Sequence, residues 1–375
     1  MHEISTKIKK KNTKLEATLV LSNSATNGII SQNDYFDKDI ANDENIDKYY
    51  VISKGDFVYN PRKSSNAPYG PINILEKYDK GIASPLYTCF SIKTDKQEFL
   101  KYYFKSNKWH RFIYINGDKG ARGDRVSIKD DVFYKMPIMI PTYLESEKLS
   151  NLLSLLERKI TIARSKYETL KKYKKGLSKI AIKDSVNNWI YKNESGTALG
   201  TFLREINEYS KKDNGFTHVT LSKDGIGNKS DRYDRDFLVK TEDKKYKITR
   251  FNQLCYNPAN LKFGVICINK FGDGIFSPIY ITYQIKGIDV DYLELLVTSD
   301  DFRNYSMKYQ QGTVFERMSV SPEDLQKIKI VPACKERQLL LSVTVKAINK
   351  KMKHFEEKLS LLSSLKKILL NDLFI

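Results

Sequence analysis

Lys119, Arg122 and Arg125 stand in or beside a glycine-spaced segment, Gly117 to Gly123. Glycine lets the backbone approach a ligand closely. Cations presented this way suit phosphate, which a guanidinium grips through two parallel hydrogen bonds and an ammonium meets as a point charge. Arg62, Lys63 and Asn66 follow Asn60-Pro61 in the same half, and an amide beside two cations adds a group able to read a base edge. The second half offers Arg232, Arg235, Lys262, Gln310, Gln311 and Arg317 in comparable loops. For each of these residues the plain alternative is an ordinary solvated charge or amide. The chemistry they share is polyanion binding, with affinity from cations on phosphate and specificity from a few side chains on bases. On this reading Arg122→Ala weakens binding to every sequence and flattens its salt dependence.

Catalytic chemistry finds no comparable support. A methyltransferase acting on adenine grips the flipped base with an Asn/Asp-Pro-Pro-aromatic loop. Asn60-Pro61-Arg62 and Asn257-Pro258-Ala259 lack the second proline and the aromatic residue. Gly225-Ile226-Gly227-Asn228-Lys229-Ser230 has neither the Gly-Lys-Ser/Thr nor the spacing of a phosphate-binding loop. His2, His110, His218 and His354 are scattered without metal-ligand spacing, so neither a metal nor a cofactor is expected. Cys89, Cys255, Cys267 and Cys334 form no Cys-x-x-Cys pair and read as reduced, mostly buried thiols of a cytoplasmic protein.

The elements that must carry the cations come from an internal repeat. Gly55-Asp56-Phe57-Val58-Tyr59-Asn60-Pro61 and Gly81-Ile82-Ala83-Ser84-Pro85-Leu86-Tyr87 recur as Gln253-Leu254-Cys255-Tyr256-Asn257-Pro258 and Gly274-Ile275-Phe276-Ser277-Pro278-Ile279-Tyr280. The offset drifts from 197 (Tyr59 to Tyr256) through 193 (Gly81 to Gly274) and 192 (Arg125-Val126-Ser127 to Arg317-Met318-Ser319) to 191 (Ile140 to Val331). Ordered anchors with a slow drift mark a duplicated domain with small loop deletions. The matched pair Arg125/Arg317 is expected to be positional, packing the fold or touching backbone. Only the second copy shows a leader, Gly196 to Tyr209; the first has no visible counterpart after Met1. Segments 49–60, 85–93, 246–257 and 263–269 are rich in β-branched and aromatic residues and read as strands. Lys96 to Trp109 and Asp289 to Tyr305 read as short helices.

Each copy ends in a long helical pattern that starts just past Pro141 or Pro332. Leu149, Leu153, Leu156, Ile160, Ala163, Tyr167, Leu170 and Leu177 fall at steps of three, four and seven. So do Leu341, Val345, Ile348, Met352, Phe355, Leu359, Leu362, Leu369 and Leu373, which is the signature of a coiled-coil seam. Lys174 and Lys366 interrupt the two seams at equivalent positions. They either fix the register of a helix pair or snorkel near frayed ends. Gly176 costs about 1 kcal/mol relative to alanine and is expected to fray the first helix. At about 1.5 Å per residue each helix forms a rod of roughly 57 Å.

Lys and Arg number 64 against 45 Asp and Glu, a formal charge of +19 that must face solvent or a polyanion. No apolar run approaches the ~20 residues of a membrane span, and the basic Met1–Lys14 has no apolar stretch behind it to make a secretory signal.

The ordered set of Gly-Asp-Phe-Val-Tyr-Asn-Pro, the two Gly-x-x-Ser-Pro-x-Tyr strings, and the two helices resembles the specificity subunits of type I restriction–modification systems over nearly the whole chain. Lys174-Lys175-Gly176-Leu177 and Lys366-Lys367-Ile368-Leu369-Leu370 are similar to that family's Lys-Lys-Gly-Leu-Leu helix endings. The resemblance implies an α+β protein with two tandem mixed α/β target recognition domains. Each is followed by a long helix, and the two helices pair as an antiparallel coiled coil. The expected boundaries are 1–142 and 184–333 for the recognition domains and 143–183 and 334–375 for the helices. The implied partners are double-stranded DNA carrying a bipartite target, two methyltransferase subunits and the restriction motor-nuclease subunits. The chain itself would be non-catalytic. A coiled-coil protein-binding scaffold without DNA affinity, or a DNA-modifying enzyme with an unfamiliar site, are the competing readings.

Overall fold

The computed structural model describes residues 1–35, 43–93, 95–118, 123–126, 128–183, 196–211, 215–229, 245–312 and 318–374. The chain forms two compact units, Met1–Ala163 with Lys358–Ile375, and Arg164–Glu357. Both are mixed α/β, and each contains part of both long helices, Tyr143–Ile182 and Lys335–Asp372.

The first unit contains strands β1 (Ser5–Lys7), β2 (Val20–Ser24), β3 (Gly28–Ser31), β4 (Tyr50–Ser53), β5 (Phe57–Tyr59), β6 (Ile72–Ile74), β7 (Lys80–Ala83) and β8 (Thr88–Ile92). They make two four-stranded sheets, ordered β1-β8-β5-β6 and β3-β2-β7-β4. The β2–β7 pair is parallel and the others are antiparallel. Strand side chains alternate between faces, and β5 shows what this does. Phe57 and Tyr59 join Ile72, Phe90, Phe104 and Trp109 in one buried cluster, while Val58 joins Leu21, Ile52, Ala83 and Cys89 in another. Strand β5 is therefore buried on both faces, with helices Gln97–Tyr103 and His110–Asn116 on one side and the second sheet on the other.

The second unit contains β9 (Thr197–Ala198), β10 (Leu203–Glu205), β11 (Tyr209–Ser210), β12 (Thr217–Ser222), β13 (Gly225–Asn228), β14 (Tyr246–Thr249), β15 (Leu254–Tyr256), β16 (Ile266–Ile268), β17 (Gly274–Phe276), β18 (Ile281–Ile285) and β19 (Lys329–Ile330). Its sheets run β10-β18-β15-β16 and β11-β14-β17-β12-β13, with β12 and β17 parallel. Apart from β11 and the small β9–β19 pair, this is the first unit strand for strand. The repeat read from sequence is thus a repeat of topology. The leader has a counterpart as well. The Leu199 backbone nitrogen donates to Ile328 O at 2.7 Å, and the Met1 nitrogen donates to Met136 O at 2.8 Å. One register differs from the sequence alignment. Val126 N donates to Pro61 O and Val320 N to Pro258 O, so Val320, not Met318, stands where Val126 does.

The expected helix Asp289–Tyr305 is broken in two at Ser299, whereas the one expected over Lys96–Trp109 ends at Tyr103 and the next helix opens only at His110. Ser106 Oγ donates to Tyr103 O, and Ser299 Oγ donates to Leu296 O and accepts from Phe302 N at the start of the helix Asp300–Ser306.

The first long helix opens on a capping box, in which Glu145 accepts from Thr142 N while Thr142 Oγ1 accepts from Glu145 N. In the first unit its early seam residues Leu149 and Leu153 share a core with Leu369, Leu373 and Phe374 of the second helix. In the second unit Leu177, Ala181 and Ile182 pack with Leu341 and Val345. Tyr167 OH donates to Glu356 Oε1 at 2.6 Å. Each unit joins an early stretch of one helix to a late stretch of the other, so the helices pair antiparallel. Gly176 does not fray the first helix, which continues to Ile182 because Ala181 and Ile182 are buried.

Of the two seam lysines, Lys366 is engaged rather than snorkelling. Lys366 Nζ donates to Glu157 Oε1 at 2.6 Å, and Lys105 Nζ reaches the same oxygen at 2.8 Å. Tyr102 OH donates to the other oxygen at 3.2 Å. Burial would raise the Glu157 pKa, but Lys105 and Lys366 outweigh it and hold the carboxyl at about 2. Lys174 faces Glu294, whose carboxyl is pushed up by burial and eased down by that lysine.

Candidate nucleic-acid interface

The Asn60–Pro71 loop of the first unit is closed at its base by backbone. Asn60 N donates to Pro71 O at 3.0 Å, and Ser64 and Ala67 exchange a pair of hydrogen bonds at its tip. Gly70, at φ 82°, is required there: a Cβ would fall 2.0 Å from Asn60 O. Asn60 Oδ1 accepts from Arg62 N, and its Nδ2 donates to Asn23 O, tying the loop to β2. A bridge between Arg62 and Arg125, with Lys63 N donating to Asp124 O at 2.8 Å, brings the distant segment 123–126 alongside.

The outcome is a hollow of about 680 Å³ lined by Arg62, Lys63, Asn66 and Arg125 together with Asn23, Asn60 and Gln32. Among the described residues no carboxylate lines it. Arg62 and Asn66 are exposed, and Arg62 and Lys63 have no ion-pair partner among the described residues. Cations, amides and hydroxyls without an acid form a donor-rich surface suited to phosphate and to base-edge acceptors. Four of the candidates thus share one site. Lys119 and Arg122 lie outside the described residues.

In the second unit the equivalent loop is a 3-10 turn, Pro258–Phe263, capped by Asn257 Oδ1 accepting from Ala259 N and ended by Gly264 at φ 78°. Lys262 lies over the Phe263 ring at 5.4 Å from its centroid. Gln310 is half-buried after the turn Met307–Tyr309. Gln311 is tied internally. Its backbone bonds with Ser319 in both directions, and its Nε2 donates to Asp324 Oδ2 at 2.7 Å. Arg232, Arg235 and Arg317 lie outside the described residues.

One matched feature escaped the sequence reading. Leu86 lines the hollow and is 59% exposed; Ile279, its equivalent in the second repeat, is 61% exposed. Two aliphatic side chains held in water at the same place in both copies are suited to apolar contact with a thymine methyl or a base step. The signal was the Ser-Pro-Leu-Tyr and Ser-Pro-Ile-Tyr alignment itself. An apolar residue between prolines and tyrosines reads as core until its exposure is known.

Among the described residues the three buried cysteines are not activated thiols. Burial pushes the Cys89 and Cys255 thiols up to about 12 and the Cys267 thiol higher still, which keeps them protonated. Among the described residues no three metal-ligating side chains cluster, and no helix is long and apolar enough to cross a membrane.

No protein-family model matches the chain, and no curated protein matches it by sequence. Solved structures do. The type I restriction–modification S subunit from M. genitalium matches with a TM-score of 0.56 at 14% identity, covering 100% of this chain and 97% of that one. The HsdS subunit from Thermoanaerobacter tengcongensis matches at 0.41 and 14% identity over 98% and 94% of the two chains. A chain from a type I restriction–modification assembly study matches at 0.47 and 13%, over 98% and 95%. The first of these shows that this chain has the fold of an S subunit along its whole length.

Proposed function

We propose that this protein binds double-stranded DNA as the specificity subunit of a type I restriction–modification complex, each unit reading one half of a bipartite target. The observation that carries the reading is the duplicated topology, matched end to end by an S subunit fold. The hollow around Arg62, which has no acid among the described residues that line it, supports it, as does the charge of +19. Arg62, Lys63, Asn66, Arg125, Lys262 and Gln310 are the proposed contacts that the structure describes; Gln311 is assigned to support of the loop. Lys119, Arg122, Arg232, Arg235 and Arg317 remain proposed on sequence grounds.

A second face of the helices fits the proposed methyltransferase partners, with the restriction subunits joining that complex. In the first unit Leu152, Leu155 and Ile162 of one helix and Leu361, Leu365 and Ile368 of the other are exposed, each directly preceding a seam residue. In an antiparallel pair those positions share one side, so a second apolar seam faces outward and suits an added helix.

The deciding experiment maps adenine methylation in a host expressing this chain with an adjacent methyltransferase, against a host lacking the chain. A new bipartite motif with a fixed gap is expected. No new motif, with the methyltransferase shown to be soluble and expressed, would favour the protein-scaffold reading, which the exposed seam alone would satisfy.

A further inference from the structure

The second unit carries a groove whose composition separates it from every other concavity described. It has a volume of about 720 Å³ and lies between the last turns of the first long helix and the start of the helix Asp300–Ser306. Lys171, Lys172, Lys174, Lys175, Lys179 and Lys223 line it, against Glu168, Asp300 and Asp301. Among the described residues Ser178, Thr298 and Ser299 complete the lining, and no apolar residue contributes.

The internal charge pairing falls short. Asp300 is taken by Lys175 at 3.1 Å and by Arg303 at 3.1 Å. Lys174 faces Glu294. Lys171, Lys172, Lys179 and Lys223 have no ion-pair partner among the described residues. Three of them repeat at helical spacing with Lys175 (171, 175, 179 and the adjacent 172), an arrangement that repels itself within the helix unless an outside anion intervenes. The corresponding hollow in the first unit is built differently. There Lys101, Lys105 and Lys366 are neutralised by Glu76 and Glu157, and Phe104, Trp109 and Leu370 line the wall. Duplication therefore does not account for the lysine groove.

We infer that this groove holds the sugar–phosphate backbone of DNA without regard to base sequence, an inference that rests on the proposed DNA-binding function. Its occupant follows from what lines it. Protein interfaces are depleted of charge and enriched in aromatic and apolar residues at their cores, and this wall has no such residue among the described ones. Lysines without arginine, glutamine or asparagine offer point charges to phosphate and nothing in a fork geometry for a base pair. A cationic groove of this kind tracks a backbone and supplies affinity common to all sequences.

The test uses the full chain in complex with its methyltransferase and a fluorescent duplex of random sequence, titrated by anisotropy between about 50 and 200 mM salt. The variant carries Lys171→Gln, Lys172→Gln and Lys179→Gln, all exposed helix positions where glutamine is well tolerated. Its control carries Lys350→Gln, Lys351→Gln and Lys353→Gln, an equal loss of charge at exposed positions of the second helix. The groove variant should flatten the log K against log salt slope by about 2.7, or ~0.9 per lysine, with the control close to wild type. Arginine at the same three positions should restore the slope. An unchanged slope in the groove variant overturns the inference, and if that variant instead loses its methyltransferase on purification, the groove is a protein-docking site. Absence of DNA affinity in the wild-type complex would fail the proposed function itself, an outcome distinct from an unchanged slope.

Discussion

Glu157 concentrates three donors on one carboxylate, and two of them are lysines that would otherwise repel each other. Its side chain is 25% exposed, placing the cluster between an exposed pair worth at most ~1 kcal/mol and a fully buried one whose disruption costs about 3–5 kcal/mol. Glu157→Gln should therefore destabilise the first unit by roughly 2 kcal/mol, measured by urea unfolding. The pH sign follows from the depressed carboxyl. Its stabilisation is complete above the ordinary glutamate value of 4.5 and is lost as pH falls toward about 2. The wild type should lose stability over that interval while Glu157→Gln stays flatter; parallel acid-melting curves would refute the assignment. At the candidate interface, Arg62→Ala and Arg125→Ala should each reduce the salt slope of DNA binding by about 0.9. Arg62, Lys63 and Asn66 were legible as a group because Asn-Pro loop chemistry is local. The arrival of Arg125 beside them, and the capture of Gln311 by Asp324, depend on approaches between distant segments that a linear string does not carry.

At the level of elements, the helices were the most legible part. Every seam residue read from the three-four spacing of the first helix is at least half-buried, because burial along a helix repeats with its own period. Gly176 shows the limit of local propensity. The buried residues Ala181 and Ile182 hold the last turn that glycine alone would loosen. A Cβ at Gly176 would meet nothing within 4 Å. Gly176→Ala should therefore raise stability by about 0.4–1 kcal/mol in equilibrium unfolding, and a loss would show that the position needs glycine. The strands were legible as segments but not as sheets. The parallel β2–β7 and β12–β17 pairs join strands with most of a sheet between them in sequence, and nothing in either strand encodes its neighbour. The two-residue difference at Val126 and Val320 has a similar origin. Similar Arg-x-Ser strings align by eye, whereas the structure aligns the nitrogens that meet the Asn-Pro carbonyl.

For the molecule as a whole, the proposed function together with duplication and divergent loops predicts that the two units read their half-sites independently. Replacing Asn66 and Arg62 with alanine should change or relax bases in one half of the methylated motif and leave the other half intact. Methylation mapping reads both halves in one measurement. A change spread over both would mean that the hollow does not read a half-site. Equivalent substitutions at Lys262 and Gln310 should alter the opposite half.

The composition of the first unit also sets an order of events during synthesis. Leu369, Leu373 and Phe374 pack against Leu149, Leu153, Phe99 and Tyr103, yet the entire second unit is translated in between. At about 5–20 residues per second the ribosome needs on the order of ten seconds or more to supply them. During that interval the nascent N-terminal globule carries an open apolar flank, whereas the second unit, drawn from the continuous stretch Arg164–Glu357, has all its parts once its last residue emerges. The unit made first is thus the one finished last. A chain stopped before residue 358 keeps a whole second unit and a permanently unclosed first one, a lesion that chaperones and proteases would meet as exposed leucine and phenylalanine.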